Sequence, residues 1–261
     1  MGSFLKRTLA AFSVFAGIPV AFGLLMSAAE RWASNMVYQA FGWTGIVLTG
    51  VVGTPVHEVG HYLSCRLFGL PVTEVALFRP VEGRADGILG YVRFVCDSAD
   101  PWQRLFGFFA GVAPMFFGAG VILLLVFLLT PEVWSSAASS LGAAARRRGG
   151  PARMLGALLS GSVKGFGSLR RFGIVRGFLC LSLVCSISMH MSLSVPDLQG
   201  LGEGLLFLLL LSALFSLATL LLRKNPQKGL SRMAAVLVVF FSLGLGLCLF
   251  FGLLARVAME L

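Results

Sequence analysis

Charged side chains are scarce in this sequence. Asp, Glu, Lys and Arg make up 12% of its 261 residues, about half of their share in a typical soluble domain. Hydrophobic residues make up 57%, and a soluble fold of this length has too little interior to bury them all. The composition therefore excludes an ordinary soluble protein and indicates that lipid covers part of the surface.

Paired cysteines are also lacking. The five cysteines are scattered and odd in number, and no two of them form a Cys-x-x-Cys motif. This pattern favours neither a disulfide framework nor a thiolate metal cluster. We interpret the cysteines as small, polarizable packing residues.

Six stretches lack acidic and basic residues over about 20 positions, the helical length that crosses a hydrocarbon core. None alternates as a barrel strand does, so we predict six transmembrane helices. The first stretch follows two basic residues but is too long for a signal peptide, and we expect it to be retained. The six stretches are residues 8–29, 32–56, 105–130, 177–196, 204–222 and 233–255.

Two segments between these helices differ from the rest. Residues 72–78 and 90–96 are rich in β-branched and aromatic residues with turn-prone residues between them, which predicts a β-hairpin. Residues 131–176 form a basic loop of Ala, Ser, Gly and Arg, in which residues 154–166 are a candidate interfacial helix. We therefore predict an all-α integral membrane protein with one small hairpin. We expect a single membrane domain over residues 1–261, in which residues 32–202 are the region that carries the function.

The chain has a formal net charge of +10. Nucleic-acid-binding proteins have such charges, but no module of interleaved basic and aromatic residues is present. Basic loops beside membrane helices, in contact with anionic lipid head groups, explain the charge. We therefore expect a lipid bilayer, and no nucleic acid, among the partners.

Every histidine lies in or beside a predicted membrane helix. Ionisable groups at this depth are costly and indicate function. His57 and His61 belong to the pattern His57-Glu58-Val59-Gly60-His61. Residues i and i+4 share a helix face, so both imidazoles can bind one metal ion, while Glu58 can act as general base on a water at that ion. A chance occurrence of the pattern is the alternative, but apolar surroundings reject such residues unless they are paired or ligating.

Local signals define the helix that carries this pattern. Thr54 can serve as its N-cap, with Pro55 at the first helical position. Gly69 offers a C-terminal stop, and Pro71 prevents continuation. We predict a helix over residues 55–68, either separate from the preceding apolar run or a kinked continuation of it.

A catalytic zinc site takes three protein ligands and leaves one position for water. We expect the third ligand to be Asp197 rather than Glu203, because Pro196 can open the helix and expose the Asp197 carboxylate. The alternative for Asp197 is a helix N-cap or an interfacial acid. His190 would share a face with Asp197 on a continuous helix. We expect His190 to orient a ligand, the alternatives being direct ligation or packing as a neutral histidine.

The order of these features resembles the site-2 proteases, a family of intramembrane zinc metalloproteases. The family shows the HExxH pattern, a hairpin or small sheet, a helix with a Gly-Pro motif, and a later helix that supplies an aspartate. Here these correspond to residues 57–61, the predicted hairpin, Gly111-Val112-Ala113-Pro114 and the segment before Asp197. The family's Asn-Pro-rich lead into Leu-Asp-Gly is replaced by Ser-Val-Pro-Asp-Leu-Gln-Gly. The resemblance covers roughly residues 51–202.

The resemblance implies that His57, His61 and Asp197 bind Zn²⁺ and that Glu58 activates water. It also implies that the Gly111–Pro114 element shapes the substrate-facing helix. The expected function is hydrolysis of peptide bonds in membrane-protein or peptide substrates, in a bacterial inner (plasma) membrane. The alternatives are a membrane zinc enzyme that acts on lipid and a binding subunit that uses metal for structure alone.

Overall fold

Helices dominate the structure, a computed structural model that describes residues 2–97, 99–147, 150–169, 171–194, 197 and 201–260. In chain order the helices are α1 (Gly2–Phe12), α2 (Ile18–Phe68), α3 (Gly83–Asp86), α4 (Pro101–Leu129), α5 (Pro131–Arg146), α6 (Pro151–Gly167), α7 (Arg171–Met189), α8 (Leu201–Leu221) and α9 (Gln227–Glu260). The strands are β1 (Val72–Ala76) and β2 (Tyr91–Phe94). A π-helical turn at Ser13–Gly17 joins α1 to α2.

Several helices are long and apolar enough to cross a membrane. In the described part of the chain there are four such helices, Ser3–Phe68, Pro101–Leu129, Gly204–Leu221 and Gln227–Glu260. Gly173–Met189 is also apolar but shorter. Since each exposes large hydrophobic side chains, these helices indicate a membrane protein.

Helix α2 folds back on itself at Gly42. This glycine has φ 61° and ψ −157°, a conformation that L side chains rarely adopt. A straight helix would place Glu30 and His57 about 40 Å apart, yet both lie against His190, at 3.8 Å and 2.6 Å. The sequence predicted the break near Glu30, where charge interrupts the apolar run. The reversal instead follows the glycine.

The helix with the HExxH pattern continues from this turn to Phe68. Thr54 and Pro55 lie inside α2, so the predicted N-cap at Thr54 is wrong. Of the two alternatives, a separate helix or a continuation of the preceding apolar run, the continuation is present, and the non-helical residue lies earlier, at Gly42. Gly69 ends the helix as predicted. Its φ of 70° is left-handed, and its N–H donates to the carbonyl of Cys65.

The predicted β-hairpin is present between α2 and α4. Strands β1 and β2 pair antiparallel, with Val75 opposite Val92 and Ala76 opposite Tyr91. The register is irregular between Val72 and Glu74. The hairpin is therefore shorter than the predicted segments but lies at the expected position along the chain.

The predicted basic loop at residues 131–176 is mostly helical. Pro131 and Pro151 occupy the first turns of α5 and α6. Amides in the first turn have no intrahelical acceptor, so a proline there removes no helix hydrogen bond. Ala144 and Met154 from these helices pack with Val239 of α9. Alanine is the strongest helix former, and its abundance in α5 outweighs the Ser and Gly residues that suggested a loop. The predicted interfacial helix at 154–166 forms the larger part of α6.

The main hydrophobic core joins the first half of α2 to α4, α7 and α9. Its largest fully buried side chains are Met26, Met115, Ile187 and Phe241, one from each of these helices. This packing fixes α4 and α7 beside the second half of α2, which carries the histidine pattern.

Candidate metal centre

Three side chains from distant parts of the sequence converge at one point. The Nε2 atoms of His57 and His61 lie 3.0 Å apart, and the Nε2 atom of His61 lies 3.1 Å from Oδ1 of Asp197. Oδ2 of Asp197 lies 3.8 Å from Nε2 of His57. The three residues could hold a metal ion, and they are the three that the sequence predicted as ligands.

The outer nitrogen of His61 is held by helix α4. Nδ1 of His61 lies 2.8 Å from the carbonyl oxygen of Ala110. In an α-helix that carbonyl normally accepts from the amide four residues later, but here this residue is Pro114, which has no N–H. The proline thus leaves the Ala110 carbonyl free to accept from the imidazole.

The outer nitrogen of His57 is held at the end of α7. Nδ1 of His57 lies 2.6 Å from the carbonyl oxygen of His190. Because α7 ends at Met189, the carbonyls at this end have no intrahelical donor. His190 therefore contacts a candidate ligand through its backbone carbonyl, whereas the prediction concerned its side chain.

These two contacts determine the tautomers of the imidazoles. A nitrogen that faces a carbonyl oxygen must carry the hydrogen, so each neutral ring is protonated at Nδ1 and has a lone pair at Nε2. Both Nε2 lone pairs and the Asp197 carboxylate then face one another. Three acceptors at these distances repel unless a cation or a proton lies among them.

The separations fit a tetrahedral ion. Ligands about 2.0–2.1 Å from a tetrahedral metal lie about 3.3 Å from each other. Two observed separations lie close to that value: 3.0 Å between the two Nε2 atoms, and 3.1 Å between Nε2 of His61 and Oδ1 of Asp197. Backbone carbonyls on the outer nitrogens are also the usual support of metal-binding histidines. The donor set can therefore hold a metal ion.

Asp197 has a 3₁₀-helical conformation beyond the end of α7 and is not part of α7 itself. Because α7 ends at Met189, Asp197 and His190 do not lie on the continuous helix on which they would have shared a face. Oδ2 of Asp197 accepts from both the backbone N–H and the hydroxyl of Ser194, each at 2.7 Å. This arrangement leaves Oδ1 directed at His61. Pro196, which was expected to open the helix, lies outside the described residues, as does the side chain of Glu203.

The Gly111–Pro114 element lies against the centre. A Cβ atom on Gly111 would come within 2.8 Å of the carbonyl oxygen of Asp197. A Cβ atom on Gly60, inside the histidine pattern, would come within 2.9 Å of the Cα atom of Pro114. Small residues thus let α4 approach closely enough for the Ala110 carbonyl to reach His61.

Glu58 faces a cavity of about 910 Å³ that contains the candidate ligands. Its side chain is 6% exposed, and its carboxylate accepts no hydrogen bond from the described part of the chain. Gly90, just before β2, packs on it, since a Cβ there would lie 2.9 Å from Cγ of Glu58. A buried carboxylate beside the cluster and open to the cavity is available for proton transfer.

Strand β2 and the turn before it form one wall of the same cavity. Arg93 pairs with Glu74 across the hairpin at 2.6 Å, and Tyr91 donates its hydroxyl to the same carboxylate. This hydrogen bond raises the pKa of the Tyr91 phenol above its ordinary value. The guanidinium of Arg93 also lies over the Tyr91 ring, 4.5 Å from its centre. These contacts stiffen the strand that borders the cavity.

Sequence reasoning missed three polar residues around the centre. Ser194 holds Asp197, and its signal was the Ser-x-x-Asp spacing, which is typical of side chains that bond to nearby backbone. Glu30 and Ser192 are hydrogen-bonded to each other beside His190. In the sequence, Glu30 stands out only as an acid between two apolar stretches, a position that by itself predicts a helix boundary.

A scan against protein-family models finds no match, and searches of curated proteins and of solved structures find none either.

Proposed function

We propose that this protein is an intramembrane zinc metalloprotease that hydrolyses peptide bonds in or near transmembrane segments. The observation that carries the proposal is the convergence of His57, His61 and Asp197 with Glu58 beside them. Both histidines have their outer nitrogens on backbone carbonyls. This centre lies in a chain whose apolar helices indicate a membrane protein.

Zinc is the ion that we propose for this donor set. Two imidazoles and one carboxylate, with a fourth position left to water, are the ligands of many catalytic zinc sites. A structural zinc site would instead have four protein ligands. The described residues near the cluster supply three, which favours an enzyme over a binding subunit.

Six membrane crossings are part of the proposal. The reversal at Gly42 divides the first long helix into two apolar halves. Helices α4, α7, α8 and α9 then make six, with α7 the shortest. The likeness in motif order to site-2 proteases supports this arrangement. A bacterial inner membrane is the proposed location.

The residues of this chain would divide the reaction as follows. Zinc, when bound, supplies a Lewis acid that polarises the scissile carbonyl and makes hydroxide available near neutral pH. Glu58 accepts a proton from the attacking water as the carbon–oxygen bond forms. It then donates that proton to the amide nitrogen as the carbon–nitrogen bond breaks. The two anchored histidines and Asp197 keep their donor atoms directed at one point.

The hairpin would present the substrate. A helical substrate must unwind near the centre, and its backbone groups then need partners that lipid cannot provide. Strand β2 borders the cavity and, among the residues that the structure describes, pairs with β1 alone. Its other edge can therefore pair with an extended substrate by strand addition.

Replacing Glu58 by Gln tests the proposal. The amide cannot accept the proton, so we expect cleavage to fall at least 100-fold while bound zinc stays near the wild-type amount. The assay uses purified protein in lipid vesicles with a pool of labelled single-span peptides, read by mass spectrometry. Glu82→Gln is the matched control, because Glu82 is an exposed residue of the hairpin connection.

Two results would overturn the assignment. Wild-type cleavage by Glu58→Gln protein would remove Glu58 as the base. Release of fatty acid or head group from the vesicle lipids, with the peptides intact, would instead favour the lipid-directed hydrolase.

A further inference from the structure

One face of α2, before its turn at Gly42, lies along the segment that leads to Asp197. A Cβ atom on Gly23 would come within 2.3 Å of the Leu193 side chain. Four residues later, the hydroxyl of Ser27 donates to the Leu193 carbonyl at 2.5 Å. Three residues further on, Glu30 accepts from the hydroxyl of Ser192. The spacing i, i+4, i+7 makes these three positions one stripe of the helix.

The segment held by this stripe joins both halves of the metal centre. Residues 191–194 have neither helical nor strand structure, so side chains must fix their path. At one end the carbonyl of His190 holds His57. Beyond the other end Asp197 faces His61. A shift of this segment would therefore disturb two of the three candidate ligands together.

Glu30 is the costly member of the stripe. A carboxylate within a long apolar helix is unfavourable unless it has partners, and its side chain is 25% exposed. Its Oε1 lies 3.8 Å from Nδ1 of His190, while its other oxygen is bonded to Ser192. The proposed reaction uses neither Glu30 nor its partners, so the chemistry gives no reason for an acid at this depth.

We infer that Glu30 is a positioning residue: by accepting from Ser192 it holds residues 190–194 so that the His190 carbonyl and Asp197 reach the two histidines. The inference rests on the proposed metal centre. Residues that orient metal ligands through hydrogen bonds typically contribute 10–100-fold to metal affinity. The role belongs to the half of α2 before Gly42, whereas His57 and His61 lie in the half after it.

The test measures zinc affinity of the purified full-length protein by competition with a chromophoric chelator. We expect Glu30→Ala to weaken zinc binding about tenfold or more. Glu30→Gln should stay within about threefold of wild type, because its amide oxygen still accepts from Ser192. Gln39→Ala is the control, an exposed polar residue of the same half of α2, and should match the wild type.

A second route keeps the test decisive if Glu30→Ala fails to fold. Ser192→Ala removes the other partner and should also weaken zinc binding, and the double variant should lose no more than the larger single loss. Wild-type affinity in folded Glu30→Ala protein, or Glu30→Gln as weak as Glu30→Ala, would overturn the inference. A wild-type protein that binds no zinc would instead overturn the proposed function, so the two failures are distinct.

Discussion

His57 and His61 lie one turn apart on the same helix, but their outer nitrogens are held in different ways. His61 bonds to a carbonyl inside α4, which Pro114 leaves free. His57 bonds to a carbonyl beyond the end of α7. The first support is part of a long helix packed into the main core. The second depends on an irregular segment held by side chains of α2.

This difference shows two ways of obtaining a free backbone acceptor among packed helices. A helix normally uses its own carbonyls, so a histidine can bond to one only where the helix lacks a donor or has ended. The proline solution is rigid but costs α4 one internal hydrogen bond. A carbonyl beyond the end of a helix is free without the loss of a helix hydrogen bond. The chain after the helix end then needs other contacts to hold that carbonyl in place. We therefore expect the two supports to respond differently to substitution.

The largest expected effect removes a candidate ligand. His57→Ala and His61→Ala should each abolish zinc binding, because two remaining protein ligands do not make a stable site. The measurement is zinc per chain by elemental analysis after dialysis. His190→Ala should still contain zinc, because its backbone carbonyl still holds His57. Zinc-free His190→Ala protein would show instead that the His190 imidazole is a ligand.

An intermediate effect is expected at the proline. In Pro114→Ala, the restored amide hydrogen competes with His61 for the Ala110 carbonyl. We expect the zinc dissociation constant to rise about tenfold. The midpoint of thermal unfolding of the metal-free protein should stay level or rise, since alanine favours the helix interior over proline. A residue important only for packing would lower stability and leave zinc affinity unchanged.

Pro101→Ala is the matched control for that variant. Pro101 lies at the first position of the same helix, where a missing amide hydrogen frees no internal carbonyl. Both zinc affinity and stability should therefore stay close to wild type. Equal losses in the two proline variants would contradict the role given to Pro114.

The sequence predicts the part of this site that depends on local spacing. His57 and His61 share a face on any helix. The Ser-x-x-Asp spacing of Ser194 and Asp197, shortly after His190, is likewise visible in the sequence. The scarcity of acids in apolar stretches was enough to select Asp197. In the same way, Gly69 and the β-branched strands predict where the helix ends and where the hairpin lies.

The supports of the ligands depend on tertiary structure and are not visible in the sequence. Any residue has a carbonyl, so no pattern identifies Ala110 as the partner of His61. Glu30 was assigned to a helix boundary because charge usually ends an apolar helix, whereas the reversal at Gly42 places it inside. The sequence does not predict helix α5, because Ser and Gly between alanines resemble a loop, whereas the candidate helix at residues 154–166 covers most of α6.

The smallest expected effect is at Ser194, on the less rigid side of the centre. Ser194→Ala removes the hydroxyl bond to Oδ2 of Asp197 but keeps the backbone N–H bond to the same atom. Because half of the support remains, we expect zinc affinity to fall only about threefold to tenfold, at the low end for residues that orient metal ligands. Chelator competition measures this change, with the exposed Ser182→Ala of α7 as control. A loss of zinc affinity as large as that of Pro114→Ala would show that the Ser194 hydroxyl, rather than the backbone N–H, provides most of the support of Asp197.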